Sequence, residues 1–285
     1  MELALDLSPP ESKHYPSWSE RLRCVARYSQ PEEIHVACEM ARAVGVTSVM
    51  AVLDRRTEVA LRELQVWRDL SVWAVVPNMY AFIRDLTDRG LVGAALSRFL
   101  RLHPRAMVAT GLNALRELGP LARADFSAGA LWLAEMELAA ARRLHVRRVF
   151  LHPQLTEIAL AGGVAGLFAT FARRARSLGL EPGLVTHNPL SAADLLGEQI
   201  ADFAALVVPC NPKGYKMVPD RASCEALLRA NPSRVWAAEP TAGGSLGLAE
   251  SLQHLDEMGV AGAVLGLRAV ESAFGPKGVR RSASA

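Results

Sequence analysis

Short apolar, β-rich runs alternate along the chain with longer segments whose apolar residues recur every three or four positions. The runs predict strands over 23–28, 48–53, 72–76, 148–152, 183–187, 204–208, 234–238 and 261–265. The segments between them predict helices over 31–44, 57–67, 166–177, 191–203, 223–230 and 248–258. Runs such as VMAVL, VWAVV and GAVLG are apolar throughout, as strands buried on both faces are, and a repeated strand–helix unit builds a parallel sheet. Eight such units fit an α/β fold of the closed (β/α)8 TIM-barrel type better than an open doubly wound sheet. No GxGxxG fingerprint follows Tyr28.

One stretch breaks the rhythm. Between Val76 and Arg148 the pattern predicts an extended helical insertion after the third strand, about 79–146, with helices over 79–100 and 128–144. Met107 to Thr110 could be a further strand, and the sequence leaves that open. Residues 1–20, rich in Pro and Ser, read as an N-terminal extension. Residues 21–275 read as a single barrel domain, and 276–285 as a flexible tail.

Composition narrows the class. A chain of 285 residues that is 51% apolar and 21% charged is too apolar for disorder, and its net charge of +3 is too small and too spread for a dedicated nucleic-acid binder. Cys24, Cys38, Cys210 and Cys224 form no CxxC pair, which points away from a zinc ribbon or a disulfide framework. The N-terminus lacks a signal-peptide pattern and no apolar run reaches the roughly 18 residues that span a bilayer. The expectation is a cytoplasmic protein without membrane or nucleic-acid partners, acting on a small molecule, with homo-oligomerisation left open. Its five tryptophans, Trp18 among them, are mostly expected in the core or the helix–sheet layer.

In barrels of this design the reacting groups project from the C-terminal strand ends. Those positions are polar here: Arg27 and Ser29; Asp54 and Arg55; Asn78; His152 and Gln154; His187 and Asn188; Asn211 and Lys213; Glu239 and Thr241; Arg268 and Glu271. Two imidazoles and a carboxylate, His152, His187 and Glu239, could bind a divalent metal ion with an open position, or share acid–base work. Each could equally be a hydrogen-bonded structural residue. Asp54 has the placement of a catalytic acid or base, although Asp54-Arg55 is also an ordinary surface pair. Within the insertion, Glu135 and Glu137 lie on different faces of a helix, so one can reach the mouth.

The loop after the sixth strand, PCNPKGYKM, places Lys213 or Lys216 over the mouth, with Asn211 and Tyr215 as substrate contacts and Lys213 as the favoured group for an anionic end. Cys210 is a nucleophile only beside a base; otherwise it is a buried structural thiol. In the next loop the Gly243-Gly244 turn could offer backbone N–H groups to an anion, with Ser245 as a helix cap and Arg268 completing the pocket. Asn78 and Asn188 complete the expected substrate contacts.

Several segments resemble the aldo-keto reductase superfamily: Gly45-Val46-Thr47 before a strand with Glu58 after it, Val149-Phe150-Leu151-His152-Pro153, and VWAAEPTAGGSL over 235–246. The resemblance covers about half the chain and implies a TIM barrel, with NADPH as cofactor. Most of that family's catalytic tetrad is absent: its Asp and Tyr are unmatched near Met50 and Arg55, its Lys is replaced around Pro77-Asn78, and only His152 carries over. Thr186-His187-Asn188-Pro189 and the segment 210–215 are similar to aldolase-type barrels. The resulting expectation is a lyase or isomerase acting on a small carbonyl- or carboxylate-bearing metabolite. The alternatives are an NADPH-dependent reductase, or an inactive barrel used as a binding subunit.

Overall fold

A computed structural model describes residues 1–7, 17–43, 45–64, 71–85, 87–89, 126–141 and 144–274. Eight parallel strands close into a barrel in sequence order: β1 (Glu2–Asp6), β2 (Ser48–Val52), β3 (Ser71–Val76), β4 (Val146–Leu151), β5 (Glu181–Val185), β6 (Ala205–Pro209), β7 (Val235–Ala238) and β8 (Gly262–Gly266). Closure runs through β1 and β8, from Glu2 opposite Gly262 to Asp6 opposite Gly266. The fold is thus the predicted TIM barrel, and helices lie between successive strands.

Two sequence expectations are corrected. The stretch 23–28 is no strand: Trp18–Arg27 is a helix, followed by a second helix, Pro31–Arg42. The first strand is instead ELALD at 2–6, inside the supposed N-terminal extension. Arg27 and Ser29 therefore end no strand. Arg27 pairs with Glu33 and with Glu271 on the last helix, both at 2.5 Å, and Ser29 Oγ donates to Val25 O. Trp18 is 64% exposed rather than core. Between β3 and β4 the described residues are helical over 79–85, 87–89 and Phe126–Ala140. Met107 to Thr110 and the 276–285 tail lie outside the described residues.

Alternation along each strand sorts the core into two layers. Outward residues such as Val49, Val72, Val149, Leu151 and Leu184 pack against helix residues including Ile34, Leu61, Leu155 and Phe168. Inward residues fill the lumen: Ala4, Met50, Trp73, Val75, Phe150, Ala205, Val207, Trp236 and Val264. The Trp73 ring stands edge-on to Trp236 at 4.4 Å between centroids and lies 5.6 Å from Phe150. Arg148, the register partner of Trp73 on β4, sits 4.8 Å from the Trp73 ring and bonds Glu181 at 2.7 Å, so its charge is both paired and stacked.

These rings fit because two facing positions carry no side chain. A Cβ on Gly183 would overlap the Phe150 ring, and one on Gly262 would overlap Trp236. Gly183→Ala is therefore expected to destabilise the barrel by about 1–3 kcal/mol through overpacking, with Phe150→Leu in the same chain recovering part of the loss. Urea unfolding checks this; an unchanged midpoint in Gly183→Ala would show that the lumen has slack.

Candidate functional site at the barrel mouth

Four of the strand-end residues singled out from the sequence, Asp54, Asn78, His152 and Asn188, hold helix starts in place. Asp54 Oδ1 accepts the backbone N–H groups of Arg56 and Thr57 at 2.9 and 2.8 Å, while Oδ2 binds the Arg56 guanidinium at 2.7 Å. Asn78 Oδ1 accepts from Ala81 N at 3.0 Å, its Nδ2 donates to Leu53 O, and its backbone N–H donates to Glu137 at 2.7 Å. Glu137 thus reaches the end of β3. Glu135 lies on the outer layer, bonded to Arg174 at 2.9 Å. Asn188 Oδ1 accepts from Ser191 N at 3.2 Å.

His152 follows the same rule. Its Nδ1 accepts the Gln154 N–H at 3.2 Å at the start of the helix Pro153–Ala161, and its ring meets Tyr80 edge-on at 5.6 Å between centroids. The residue is 2% exposed, and burial lowers its pKa to about 4. The imidazole is therefore neutral at physiological pH. With Nδ1 accepting, its proton sits on Nε2.

His187 stands elsewhere, with its side chain 40% exposed and Nδ1 3.8 Å from Glu157. His152, His187 and Glu239 are not brought together: among the described residues no group of three or more His, Cys, Asp or Glu side chains is arranged to hold a metal ion.

Glu239 instead faces Lys216 across the loops after β6 and β7. The Lys216 Nζ–Glu239 Oε1 distance is 2.7 Å, and the two side chains are only 14% and 20% exposed. Both residues have left-handed backbone, φ 59° for Lys216 and 52° for Glu239. Such conformations cost roughly 1–3 kcal/mol each outside glycine and gather at functional sites. At Glu239 the following Pro240 adds to the constraint, because proline steers its predecessor toward extended backbone. A desolvated ion pair returns little net stability.

The surrounding loops are tightly tied. Asn211, fully buried, brackets Tyr215 by accepting its N–H at 2.8 Å and donating to its carbonyl at 2.9 Å. The Lys216 ammonium lies 5.6 Å from the Tyr215 ring centroid. Lys213 is exposed, and its Nζ donates to Ser245 O at 3.2 Å, joining the two loops. Gly243 and Gly244 have φ of 69° and 82°; the Gly244 N–H donates to Thr241 O at 3.0 Å and so is not free for an anion. Ser245 Oγ donates to Ala242 O, leaving Gly247 at the helix start. Arg268 lies partly buried in the first turn of the helix after β8. Cys210 is buried, and burial pushes its thiol up to about 12, so it is no ready nucleophile.

Two mouth carboxylates escaped sequence reading. Asp6, partly buried, continues the inward face of Ala4 at the end of β1; its signal was the alternation of ELALD ending in an acid. Glu157 lies inside a helix, where nothing in the sequence marks it. No protein-family model matches the chain, and no curated protein matches it at a significant level.

The buried neutral His152 has a consequence for stability. The unfolded chain binds a proton below about pH 6.5 that the folded chain refuses until about pH 4, so stability falls as pH drops through this window. The expected loss is about 2 kcal/mol by about pH 5. His152→Asn keeps a capping acceptor and should flatten the profile; equal pH slopes in both proteins, measured by denaturant unfolding, would contradict the assignment.

Proposed function

We propose that this protein is a barrel enzyme that moves a proton next to the carbonyl of a small anionic metabolite, a lyase or isomerase of the cytosol working by acid–base chemistry. The Lys216–Glu239 pair carries the reading: two opposite charges, poorly solvated and both in strained backbone, at the mouth where such barrels place their chemistry. An incoming carboxylate competes with Glu239 for the Lys216 ammonium. That exchange anchors the substrate and releases Glu239 as a base. Neutral His152, with its proton on Nε2, has the form that stabilises a developing enolate oxygen by donation. Asn211 and Lys213 hold the loop that carries Lys216, through the Tyr215 backbone and Ser245 O, and Arg268 is a further cation for the anionic end.

Reduction by NADPH, implied by the reductase resemblance, finds less support. Where that family has its aspartate and lysine, Met50 packs in the lumen and Asn78 starts a helix, so these positions do not supply the tetrad. Among the described residues no helix is long and apolar enough to cross a membrane. A binding subunit without turnover is the second reading, favoured by the use of Asp54, Asn78, His152 and Asn188 as caps.

Proton NMR in deuterated water, over a panel of 2-oxo acids, hydroxy acids and hydroxyketones, separates these readings. The wild-type protein should exchange the proton adjacent to the carbonyl in one class, and Glu239→Gln should slow that exchange by about 100-fold or more. Exchange that survives Glu239→Gln removes the assigned base. Absence of exchange across the panel favours the binding subunit, and saturable NADPH oxidation with a carbonyl substrate favours the reductase.

A further inference from the structure

The end of β5 is held by a carboxylate that the acid–base scheme above does not use. Glu157, on the helix that follows β4, presents Oε1 to three groups. Thr186 Oγ1 donates to it at 2.8 Å, the His187 backbone N–H donates at 2.7 Å, and His187 Nδ1 lies 3.8 Å away. The Thr186 hydroxyl in turn accepts the Asn188 N–H at 3.0 Å, so the carboxylate is locked to the backbone of the rim from two sides. Thr186 is buried, whereas the His187 ring remains partly open to solvent.

A neutral imidazole carries its proton on one nitrogen, and the neighbour of each nitrogen decides which. An ionised carboxylate only accepts. Facing Nδ1, it favours a proton there and leaves the Nε2 lone pair on the side of the ring away from Glu157. The 3.8 Å separation is within ion-pair range, and catalytic hydrogen bonds commonly tighten only when substrate is bound.

We propose that Glu157 is a positioning residue that fixes His187 as the Nδ1–H tautomer, making His187 Nε2 a second proton acceptor at the mouth. The role in turnover rests on the function proposed above; the tautomer does not, and is read without substrate. In turnover a substrate C–H or O–H proton passes to Nε2, the bonding electrons stay on the substrate, and the resulting imidazolium keeps its Nδ1–H against Glu157. Returning the proton to product restores the neutral ring.

Glu157→Gln separates holding from polarising. The amide oxygen can still accept from Thr186 and from the His187 N–H, but the charge is gone and the amide NH2 can turn toward Nδ1. The complementary variant, Thr186→Val, removes one anchor and keeps the carboxylate. Long-range nitrogen–proton spectra of the full chain with nitrogen-15 histidine, at about pH 8 where an ordinary histidine is neutral, report the tautomer directly. The His187 signals are assigned by their loss in His187→Gln. The expected result is Nδ1–H in the wild type and in Thr186→Val, with a shift toward Nε2–H in Glu157→Gln. A wild-type ring protonated on Nε2 overturns the proposal even if the Glu157 variant fails to fold, and so does a folded Glu157→Gln protein with an unchanged tautomer. Failure of the acid–base reading would appear instead as absent proton exchange beside an intact tautomer result.

Discussion

Three aromatic rings and a guanidinium occupy the space that the eight strands enclose, and everything at the rim depends on that filling. Trp73 stands edge-on to Trp236 and tilted against Phe150, Arg148 lies against both tryptophan rings, and Gly183 and Gly262 leave the room they need. A lumen packed to this density holds the strands at fixed tilt and spacing. It also leaves the described lumen lined by packed side chains, so that the candidate site lies at the strand ends and loops.

At those ends, side chains face a competing demand. Every strand hands over to a helix whose first N–H groups need acceptors, and Asp54, Asn78, His152 and Asn188 meet that need. Lys216 and Glu239 differ from these. They hold left-handed backbone and pair with each other at 2.7 Å, largely shielded from water, although a desolvated pair is a weak source of stability. The contrast between capping residues and this strained pair locates the candidate chemistry more sharply than the list of polar residues does.

The barrel was legible because runs such as VMAV in β2, VWAVV in β3 and GAVLG in β8 are apolar on both faces, which few other local structures produce. The first strand was missed for a physical reason. ELALD is five residues long with acids at both ends, whereas the segment over 23–28 offered Cys, Val and Tyr. The spacing of Trp18, Leu22 and Val25 by four and three was the helical signal in that region. The strand-end positions could be read; their tasks could not. His152-Pro153 and Asn188-Pro189 carry the mark of a cap followed by proline in the first turn, which is as compatible with structure as with catalysis. The Lys216–Glu239 contact joins loops after different strands, and Glu157 meets His187 across a helix and a strand, so neither leaves a spacing signature. Lys213 looked the better cation in sequence, yet the turn around Gly214 sends it outward and Lys216 inward.

On the function proposed above, Lys216 and Glu239 are kept for chemistry at some expense in backbone strain. Unfolding the double variant Lys216→Gly/Glu239→Gly alongside its proton-exchange assay is the decisive test, because glycine relieves both left-handed positions and the two paired charges leave together. The expected double variant is at least as stable as the wild type and no longer exchanges substrate protons. A double variant that is several kcal/mol less stable yet still exchanges them would show the pair to be structural and the chemistry to lie elsewhere.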